Sequence, residues 1–428
     1  MKKRLFIAVA TFLLFKTQAQ TWVVLPDAHF VTYLHTIVPA AMHGDSLDTS
    51  NTLVTTTTHT INVNNKTIAN LTGVQYFTSL TYLDCGNNQI ASLPALPNSI
   101  TYLDCSYTFL TSLPALPNSL KYFNCSNNSL TSLPVLPNSI NYLGCISNSL
   151  TTLPTLPTIL DTLLCGANHL TSLPSLPNSL IYLYCPSNSL TTLPTLPNTL
   201  QVLHCEANSL TNLPTLSNSL TFLNCGLNSL SSLPNLPNSL TYLECEDNSL
   251  TSLPALPNSL QDLYCNNNSL TSLPALPNSL FYLDFHSNNI TCLPIIPSSV
   301  PMGGLYMQMN SFNCLPNYTH AMGSDTVTYP LCASGNSHGC PVAGITAFNA
   351  QASNFQLYPN PAQNNFTIET SYTDKQTISL YDVNGKLILT QSINGTTNFD
   401  TSNFMQGVYN ICISSNQGQV NKRLVVVK

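Results

Sequence analysis

The chain has 428 residues, of which 7 % are charged, against roughly 25 % in an ordinary soluble domain. Lys and Arg total 11 against 17 Asp and Glu, a formal net charge of −6, while 43 % of the residues are hydrophobic. This composition excludes a charged disordered polymer. Four of the basic residues lie in the first sixteen positions, so too little positive charge remains for a nucleic-acid partner.

Residues 1–19 have the pattern of a secretory signal peptide. The basic residues 2–4 precede an apolar run over residues 5–15, and the small residue Ala19 stands at a suitable cleavage position. The apolar run is too short to span a bilayer, and no later stretch reaches the length of about 18 apolar residues that a span needs. The sequence therefore predicts an exported protein without a transmembrane segment.

From Leu80 the sequence repeats every twenty residues, and this repeat dominates residues 61–316. The spacing is L-x-x-L-x-L-x-x-N-x-L, with Cys at the third inward position, and Pro follows at the fifteenth and eighteenth positions of the copy. Eleven regular copies start between residues 80 and 280, and a looser copy flanks them on each side. One copy buries too few side chains to fold alone, so stacked copies must share a continuous core.

The pattern also predicts the path of the chain within each copy. Thr-Tyr-Leu-Asp-Cys alternates as a short strand does, and an Asn such as Asn88 ends the strand with an amide that can satisfy buried backbone groups. Thr108 replaces this Asn in one copy, which predicts a looser turn beside Phe109. Two prolines within four residues exclude a helix on the return path, so we expect an extended or polyproline-like segment.

The array resembles the short, proline-containing leucine-rich repeats of bacterial effectors and surface proteins, with their L-P-x-L-P-x-x-L unit. The resemblance implies a leucine-rich-repeat solenoid with short parallel strands on its concave face, and an interaction role with no named partner. Residues 20–60 look like the helical N-terminal cap that precedes such arrays. Some effectors of this kind carry a ubiquitin-ligase domain after the array, but no segment of suitable length follows here, so that activity is not expected.

Fourteen of the fifteen cysteines form two groups. Ten occupy inward positions at twenty-residue spacing, where we expect free, buried thiols rather than a metal site. The other group lies at the irregular end of the array and in residues 317–341, a Cys-containing C-terminal cap, where an exported protein can form disulfides. Four cysteines allow three pairings, of which we favour Cys292–Cys314 and Cys332–Cys340.

Residues 342–356 read as a linker, and residues 357–428 form a third pattern of alternating strands and turns, which predicts a small all-β antiparallel sandwich. Its Tyr-Pro-Asn-Pro start, Tyr-Asp-x-x-Gly-Lys hairpin and Val-Val-x-Lys end resemble the type A C-terminal sorting domain of the type IX secretion system of Bacteroidota. The resemblance implies export across the outer membrane by that machinery, followed by release or anchoring on the cell surface. The residues that carry it are Tyr358, Pro359, Asn360, Pro361, Asp382, Gly385, Lys386, Gly407, Tyr409 and Lys428.

No catalytic motif or phosphate-binding loop is present in the sequence, so we expect neither an enzyme nor a cofactor or metal. The functional signal lies in the outward strand positions of the concave face, where tyrosine suits recognition. Stacked tyrosines also stabilise neighbouring strands, and one residue can do both. The candidate binding residues are Tyr82, Asp84, Tyr102, Asp104, Tyr122, Tyr142, Tyr182, Tyr184, Phe222, Tyr242, Glu244, Tyr264 and Tyr282.

The charged residues of the repeat region indicate which class of partner the protein can bind. Between residues 80 and 300 Lys121 is the only base, against nine acids, which favours a neutral or mildly cationic ligand. We therefore predict a secreted or cell-surface binding protein that contacts a protein or glycan through its concave face. An alternative is an ice- or mineral-binding solenoid, because Ser-Leu-Thr recurs at one repeat position and would form hydroxyl rows about 4.8 Å apart. Thermal hysteresis would separate the two.

Overall fold

A computed structural model describes residues 21–317, 319–322, 329–333, 340, 355–370, 376–382, 387–415 and 418–428. The predicted signal peptide, residues 342–354 of the predicted linker, and Gly385 and Lys386 of the sorting motif lie outside the described residues. The chain divides into two compact units, Met1–Asn313 with Tyr318–Thr328, and Cys314–Asn317 with Tyr329–Lys428.

The first unit begins with a small mixed cap. Strands β1 (Trp22–Val24), β2 (Met42–His43) and β3 (Ser46–Asp48) form an antiparallel sheet in the order β1-β3-β2, around helix α1 (Ala28–Ile37). Asp27 caps this helix by accepting hydrogen bonds from the backbone N–H groups of His29 and Phe30, both at 2.9 Å. Its other carboxylate oxygen accepts from Ala69 N at 2.6 Å, which ties the cap to the first repeat. The segment thus contains the expected helix, together with a sheet that the sequence did not suggest.

Thirteen parallel strands then form one sheet in which each strand pairs with the next along the chain. The pairing is in register, so that Leu183 lies beside Leu163 on one side and Leu203 on the other. The strands are β4 (Thr60–Asn62), β5 (Tyr82–Asp84), β6 (Tyr102–Asp104), β7 (Tyr122–Asn124), β8 (Tyr142–Gly144), β9 (Thr162–Leu164), β10 (Tyr182–Tyr184), β11 (Val202–His204), β12 (Phe222–Asn224), β13 (Tyr242–Glu244), β14 (Asp262–Tyr264), β15 (Tyr282–Asp284) and β16 (Leu305–Tyr306).

The inward positions form a continuous core along the sheet. Leu80, Leu83, Cys85 and Ile90 are fully buried, and their equivalents in the later copies are buried in the same way. The return path contains no helix between residues 93 and 99, as the two prolines predict. Where Ser217 replaces one proline, its hydroxyl donates to Asn198 O at 2.8 Å and the path is maintained. The predicted parallel-strand solenoid is confirmed.

An asparagine amide, buried or partly buried, closes the turn after the strand in every regular copy but one. In one copy the Nδ2 of Asn168 donates to the carbonyl oxygens of Cys165 and Gly166 in its own repeat and of Cys145 in the preceding repeat, at 3.2, 3.1 and 2.9 Å. Its Oδ1 accepts from Leu150 N at 3.0 Å. One side chain therefore satisfies four backbone groups and joins two repeats, which explains why the position repeats so strictly.

Thr108, the exception in this row, does not loosen its turn as the sequence led us to expect. Its hydroxyl donates to Cys105 O at 2.9 Å and makes a second contact with the Oδ1 of Asn128 at 2.6 Å. The preceding residue, Tyr107, has φ 53°, the same value as Asn87 in the preceding copy. The hydroxyl thus replaces the bond of the amide within its own repeat, and the turn keeps the backbone conformation of the other copies.

The ten inward cysteines are free and fully buried, as expected. Burial raises the pKa of each thiol, in Cys145 to about 12, which suppresses the reactive thiolate. Several of them donate to a carbonyl oxygen of the next repeat, as Cys85 Sγ does to Asp104 O at 3.3 Å. They therefore serve as small core residues that also contribute a weak hydrogen bond.

The late cysteines are all disulfide-bonded, but the favoured pairing of Cys292 with Cys314 and of Cys332 with Cys340 is wrong. Cys314 bonds Cys332, with their Cα atoms 4.9 Å apart. Leu315 and Leu331 form a parallel bridge beside this bond, and Cys332 N donates to Leu315 O at 2.9 Å. The segment around residue 331 thus lies alongside the segment around residue 315, and this proximity decides the partner. In the sequence both Cys292 and Cys314 precede Leu-Pro, but these equivalent contexts do not show which segments lie side by side in the fold.

The second unit contains two antiparallel sheets, in the orders β17-β18-β21 and β20-β19-β22-β23. Phe366, Ile378, Leu380, Ile411 and Leu424 belong to its buried core, and the predicted all-β antiparallel fold is confirmed. The strands are β17 (Phe355–Tyr358), β18 (Asn365–Thr370), β19 (Gln376–Tyr381), β20 (Leu387–Ile393), β21 (Thr397–Asp400), β22 (Gly407–Ser415) and β23 (Gly418–Val426).

We expect replacement of Asn168 by Ala to destabilise the solenoid by about 2–4 kcal/mol, because it leaves buried backbone donors and acceptors without partners. Urea unfolding followed by circular dichroism measures the change. Asn138→Ala is the matched control, because that side chain is exposed on the return path, and we expect a change within about 0.5 kcal/mol. Equal losses in the two variants would contradict a structural role for the amide.

Candidate functional site

All predicted binding residues lie on the outward face of the thirteen-stranded sheet, in two adjacent columns that we call the strand face. The alternation of the strands positions them, because the first and third residues of each strand point outward while the second is buried. The first column contains Tyr82, Tyr102, Tyr122, Tyr142, Tyr182, Phe222, Tyr242 and Tyr282, and the second contains Asp84, Asp104, Tyr184, Glu244 and Tyr264.

Four tyrosines at the N-terminal end of the first column form a continuous stack. The ring centroids of Tyr82, Tyr102, Tyr122 and Tyr142 are 4.2, 4.3 and 4.3 Å apart in succession, and the planes are inclined by no more than 11°. Burial and the neighbouring tyrosine raise the pKa of Tyr102 to about 12. The rings therefore present edges and protonated hydroxyls to solvent, while their inner faces contact one another.

A second run of rings extends from Tyr182 to Tyr306. Where the first column has Val202 or Asp262, an aromatic side chain of the second column continues the run. The ring of His204 lies 5.8 Å from Tyr182 and 4.5 Å from Phe222. The ring of Tyr264 lies 5.6 Å from Tyr242 and 4.4 Å from Tyr282. The sequence analysis did not select His204 or Tyr306 as site residues, although their alternation in the strand pattern could have identified both.

The two runs are separated at strand β9. Its outward residues are Thr162 and Leu164, so neither column supplies a ring there. The Thr162 hydroxyl donates to Asp161 Oδ1 at 2.8 Å. Among the described strands from β5 to β16, β9 is the one strand with no aromatic ring at either outward position. Each of the other strands contributes a ring from the first or the second column. We call the combined surface the aromatic ladder and this position its gap.

The predicted acidic residues are partly engaged within the strand face. Asp104 Oδ1 accepts from the N and Oγ of Ser106 at 2.9 and 2.6 Å, and its Oδ2 accepts from Asn124 Nδ2 at 3.0 Å. Glu244 accepts from the Tyr242 hydroxyl at 2.5 Å and from Asn224 Nδ2. These carboxylates hold their neighbours in place and give the surface negative charge.

A further acidic group that the sequence analysis did not select lies beside the second column. The carboxylate of Glu246 covers Gly226 and leaves no space there for a Cβ atom. One oxygen of Glu246 and one of Glu206 are buried without a hydrogen-bond partner. Burial, and then the charges of Glu244 and Asp247, raise the pKa of Glu246 to about 7. Among the described residues, no group of three or more His, Cys, Asp or Glu side chains is placed to hold a metal ion.

The Ser-Leu-Thr rows lie beyond the strands. Thr131, Thr191 and Thr251 are exposed, and the backbone between copies is joined there, as by Ser129 N and Leu110 O at 2.9 Å. This second set of bonds recurs in later copies and keeps the rows at about strand spacing, 4.8 Å. The arrangement is the same for ordinary hydrated turns and for an array that binds an ordered surface.

The described sorting residues support the sandwich at its edges. Asn360 accepts from Val425 N at 2.8 Å and donates to Arg423 O at 2.7 Å, so it pairs with β23. Tyr409 donates to Met405 O at 2.8 Å, and Lys428 to Ser402 O at 2.9 Å. Tyr358 and Pro359 precede Asn360, Pro361 follows it, Asp382 follows β19, and Gly407 starts β22.

The strand geometry and the terminal sandwich together define the class of the protein. Residues 356–427 match the family of secretion system C-terminal sorting domains. The chain is a leucine-rich-repeat solenoid protein that carries a C-terminal sorting domain of the type IX secretion system. Its sorting domain indicates export and then secretion or surface attachment. No helix in the described part of the chain has the length and apolar character that a membrane span requires.

The solved structures that are similar to this chain include two bacterial proteins. YopM from Yersinia enterocolitica is 35 % identical with a TM-score of 0.59, and the match covers 61 % of this chain and 58 % of that chain, less than two thirds of its length. The functional domain of InlJ from Listeria monocytogenes, described as including a cysteine ladder, is 22 % identical with a TM-score of 0.56. That match covers 96 % of this chain and 100 % of the domain, and it shows the fold. The sequence matches none of the curated proteins compared with it.

We expect the stability of the protein to fall as the pH rises from about 4.5 to about 7, because folding raises the pKa of Glu246 above its ordinary value. The protonated carboxyl fits its buried position, and this contribution is complete below pH 4.5 and lost as the pH passes 7. Glu246→Gln should remove this part of the pH dependence and stabilise the protein by about 1–3 kcal/mol at pH 8, after allowance for partial exposure.

Urea unfolding midpoints at pH 4, 6 and 8 measure the effect. Glu246→Asp is the matched control, because it keeps an ionisable group at the position and should retain the fall. If the difference in stability between Glu246→Gln and the parent protein is the same at pH 8 as at pH 4, this carboxyl is not the cause of the pH dependence.

Proposed function

We propose that the protein is an exported binding protein without enzymatic activity, which contacts a protein ligand through the aromatic ladder of its strand face. The observation that supports this function is the stacking of the rings on one another. Tyrosine edges and hydroxyls offer large contact area with few rotatable bonds, and the stack holds them in place before binding. A sugar packs against the open face of a ring, and inside a stack such as Tyr102 with Tyr122 those faces are occupied. The ladder therefore favours a protein ligand over a glycan.

Charge supports the same proposal. Asp84, Asp104 and Glu244 lie in the column beside the rings, and the region contains a single basic residue, Lys121. A neutral or cationic partner surface would be attracted, while an anionic one would be repelled. The absence of a recognisable catalytic motif in the sequence is consistent with a binding role.

Export would proceed in two steps. Residues 1–19 would act as the signal peptide for the first membrane, and the sorting domain would direct passage across the outer membrane through the type IX machinery. The sorting residues that pair with β23, above all Asn360, would preserve the folded surface that the machinery recognises.

We expect the triple change of Tyr122, Tyr142 and Tyr182 to Ser to weaken ligand capture by at least about tenfold, because buried tyrosine area carries much of the energy of protein interfaces. Capture from surface extracts, with mass spectrometry to identify the partner and titration to measure affinity, tests this. The variant should remain folded, because these side chains point away from the core.

Tyr107→Ser is the control for the triple variant, because Tyr107 is exposed but lies on a turn outside the ladder. Full capture by the folded triple variant would reject the strand face as the site. Thermal hysteresis in that same variant would instead favour the ice-binding alternative through the Ser-Leu-Thr rows.

Removal of residues 357–428 should leave the solenoid folded but confined to the periplasm of its native host, because the sorting domain is a separate set of sheets with its own core. Cell fractionation and immunoblotting measure the distribution of the full and truncated chains. A cytoplasmic control protein reports lysis. Normal amounts of the truncated chain in the medium would contradict the sorting role.

A further inference from the structure

The gap in the aromatic ladder has the width of one missing ring. Tyr142 on β8 and Tyr182 on β10 both lie in register with Thr162 on β9. Two strand spacings separate the two tyrosines, roughly 9–10 Å. Rings within the stack lie 4.2–4.3 Å apart. A planar group that entered midway would therefore contact both tyrosines at nearly the spacing that the ladder itself uses.

No neighbouring side chain supplies a ring to the gap. At Val202 and Asp262 the second-column rings of His204 and Tyr264 complete the ladder. At β9 the second-column residue is the aliphatic, partly buried Leu164. The corresponding residue of β8 is Gly144, which has no side chain. The stack thus ends at Tyr142, and the face of that ring toward β9 has no aromatic partner among the described residues.

The surroundings of the gap are acidic. Burial raises the pKa of Tyr142, and the charge of Asp104 raises it further. Burial likewise raises the pKa of Tyr182, with contributions from the charge of Glu206 and from Tyr142 itself. Asp161 precedes the gap residue and accepts its hydroxyl hydrogen bond at 2.8 Å. A cation that entered the gap would meet negative potential and two electron-rich ring faces.

We propose that the gap between Tyr142 and Tyr182 is a slot for an arginine side chain of the protein ligand. Guanidinium is planar, permanently charged, weakly hydrated and stacks on aromatic faces, so it fits both the width and the charge of the gap. An ammonium group carries the charge but lacks the plane, and a neutral ring has the plane but lacks the charge. The inference rests on the proposed function, because it names the anchor that a protein ligand would insert into the strand face.

The slot can be tested on the full chain without knowledge of the natural ligand. The probes are N-acetyl-arginine amide, N-acetyl-lysine amide, N-acetyl-tyrosine amide and maltoheptaose, observed by saturation-transfer NMR and titrated. We expect weak binding of the arginine probe, with a dissociation constant of about millimolar order. Saturation should be strongest at the side-chain protons beside the guanidinium. The lysine and tyrosine probes should bind at least about fivefold more weakly.

The decisive variant is Thr162→Tyr, which supplies the missing ring. It should complete the stack, raise the midpoint of thermal unfolding and weaken the arginine probe by at least about tenfold. Val202→Tyr is the matched control, because it adds a ring where His204 already completes the ladder, and the probe should bind within about twofold of the parent. Tyr142→Ser removes one wall without filling the gap and should also weaken the probe.

Undiminished binding of the arginine probe in folded Thr162→Tyr and Tyr142→Ser proteins would overturn the slot. Equal or tighter binding of the lysine probe, the tyrosine probe or maltoheptaose would overturn it as well. The proposed function has a separate readout in ligand capture by the triple tyrosine variant. If that variant loses capture while Thr162→Tyr leaves the arginine probe unaffected, the strand face remains the binding surface and the slot alone is rejected.

Discussion

The solenoid depends on the asparagine amide that closes the turn in all regular copies but the one with Thr108. After each strand the chain turns toward the core, and the turn buries backbone carbonyl groups. The apolar core offers these carbonyls no hydrogen-bond donors. The amide of Asn168 takes three such carbonyls and one N–H, two of these groups from the preceding repeat. In each copy the residue before the asparagine adopts a left-handed backbone conformation, even Leu227, which has φ 53°. This conformation costs about 1–2 kcal/mol. The hydrogen bonds of the amide offset that cost.

The same constraint sets the geometry of the proposed binding surface. Because each amide binds carbonyls of two repeats, the strands are held in register, and outward side chains align in columns at strand spacing. Tyrosines at that spacing stack, as Tyr102 and Tyr122 do at 4.3 Å. The ladder is therefore ordered before any ligand arrives, and binding costs little side-chain entropy. The stacked rings stabilise neighbouring strands, and under the proposed function the same rings would also contact the ligand.

The two units of the chain are built on different principles. The solenoid builds an extended surface from one repeated interaction, while the sandwich forms a compact core of its own around residues such as Phe366 and Leu380. Motif residues of the sorting domain that resemble recognition elements in the sequence make internal bonds in the structure, as Asn360 does with β23 and Tyr409 with Met405. These motif residues therefore stabilise the fold of the sorting domain through internal hydrogen bonds.

The sequence by itself determined the features that depend on the repeat. Its period predicted the parallel strands, its prolines the extended return path, and its inward cysteines the free buried thiols, because each is set by contacts between equivalent neighbours. Tertiary structure decided what depends on particular neighbours. The pairing of Cys314 with Cys332 follows from the chain that runs beside Leu315. The ring of His204 enters the ladder because Val202 leaves room. Among the described strands from β5 to β16, only β9 has neither ring, and the register of the sheet places this gap between Tyr142 and Tyr182.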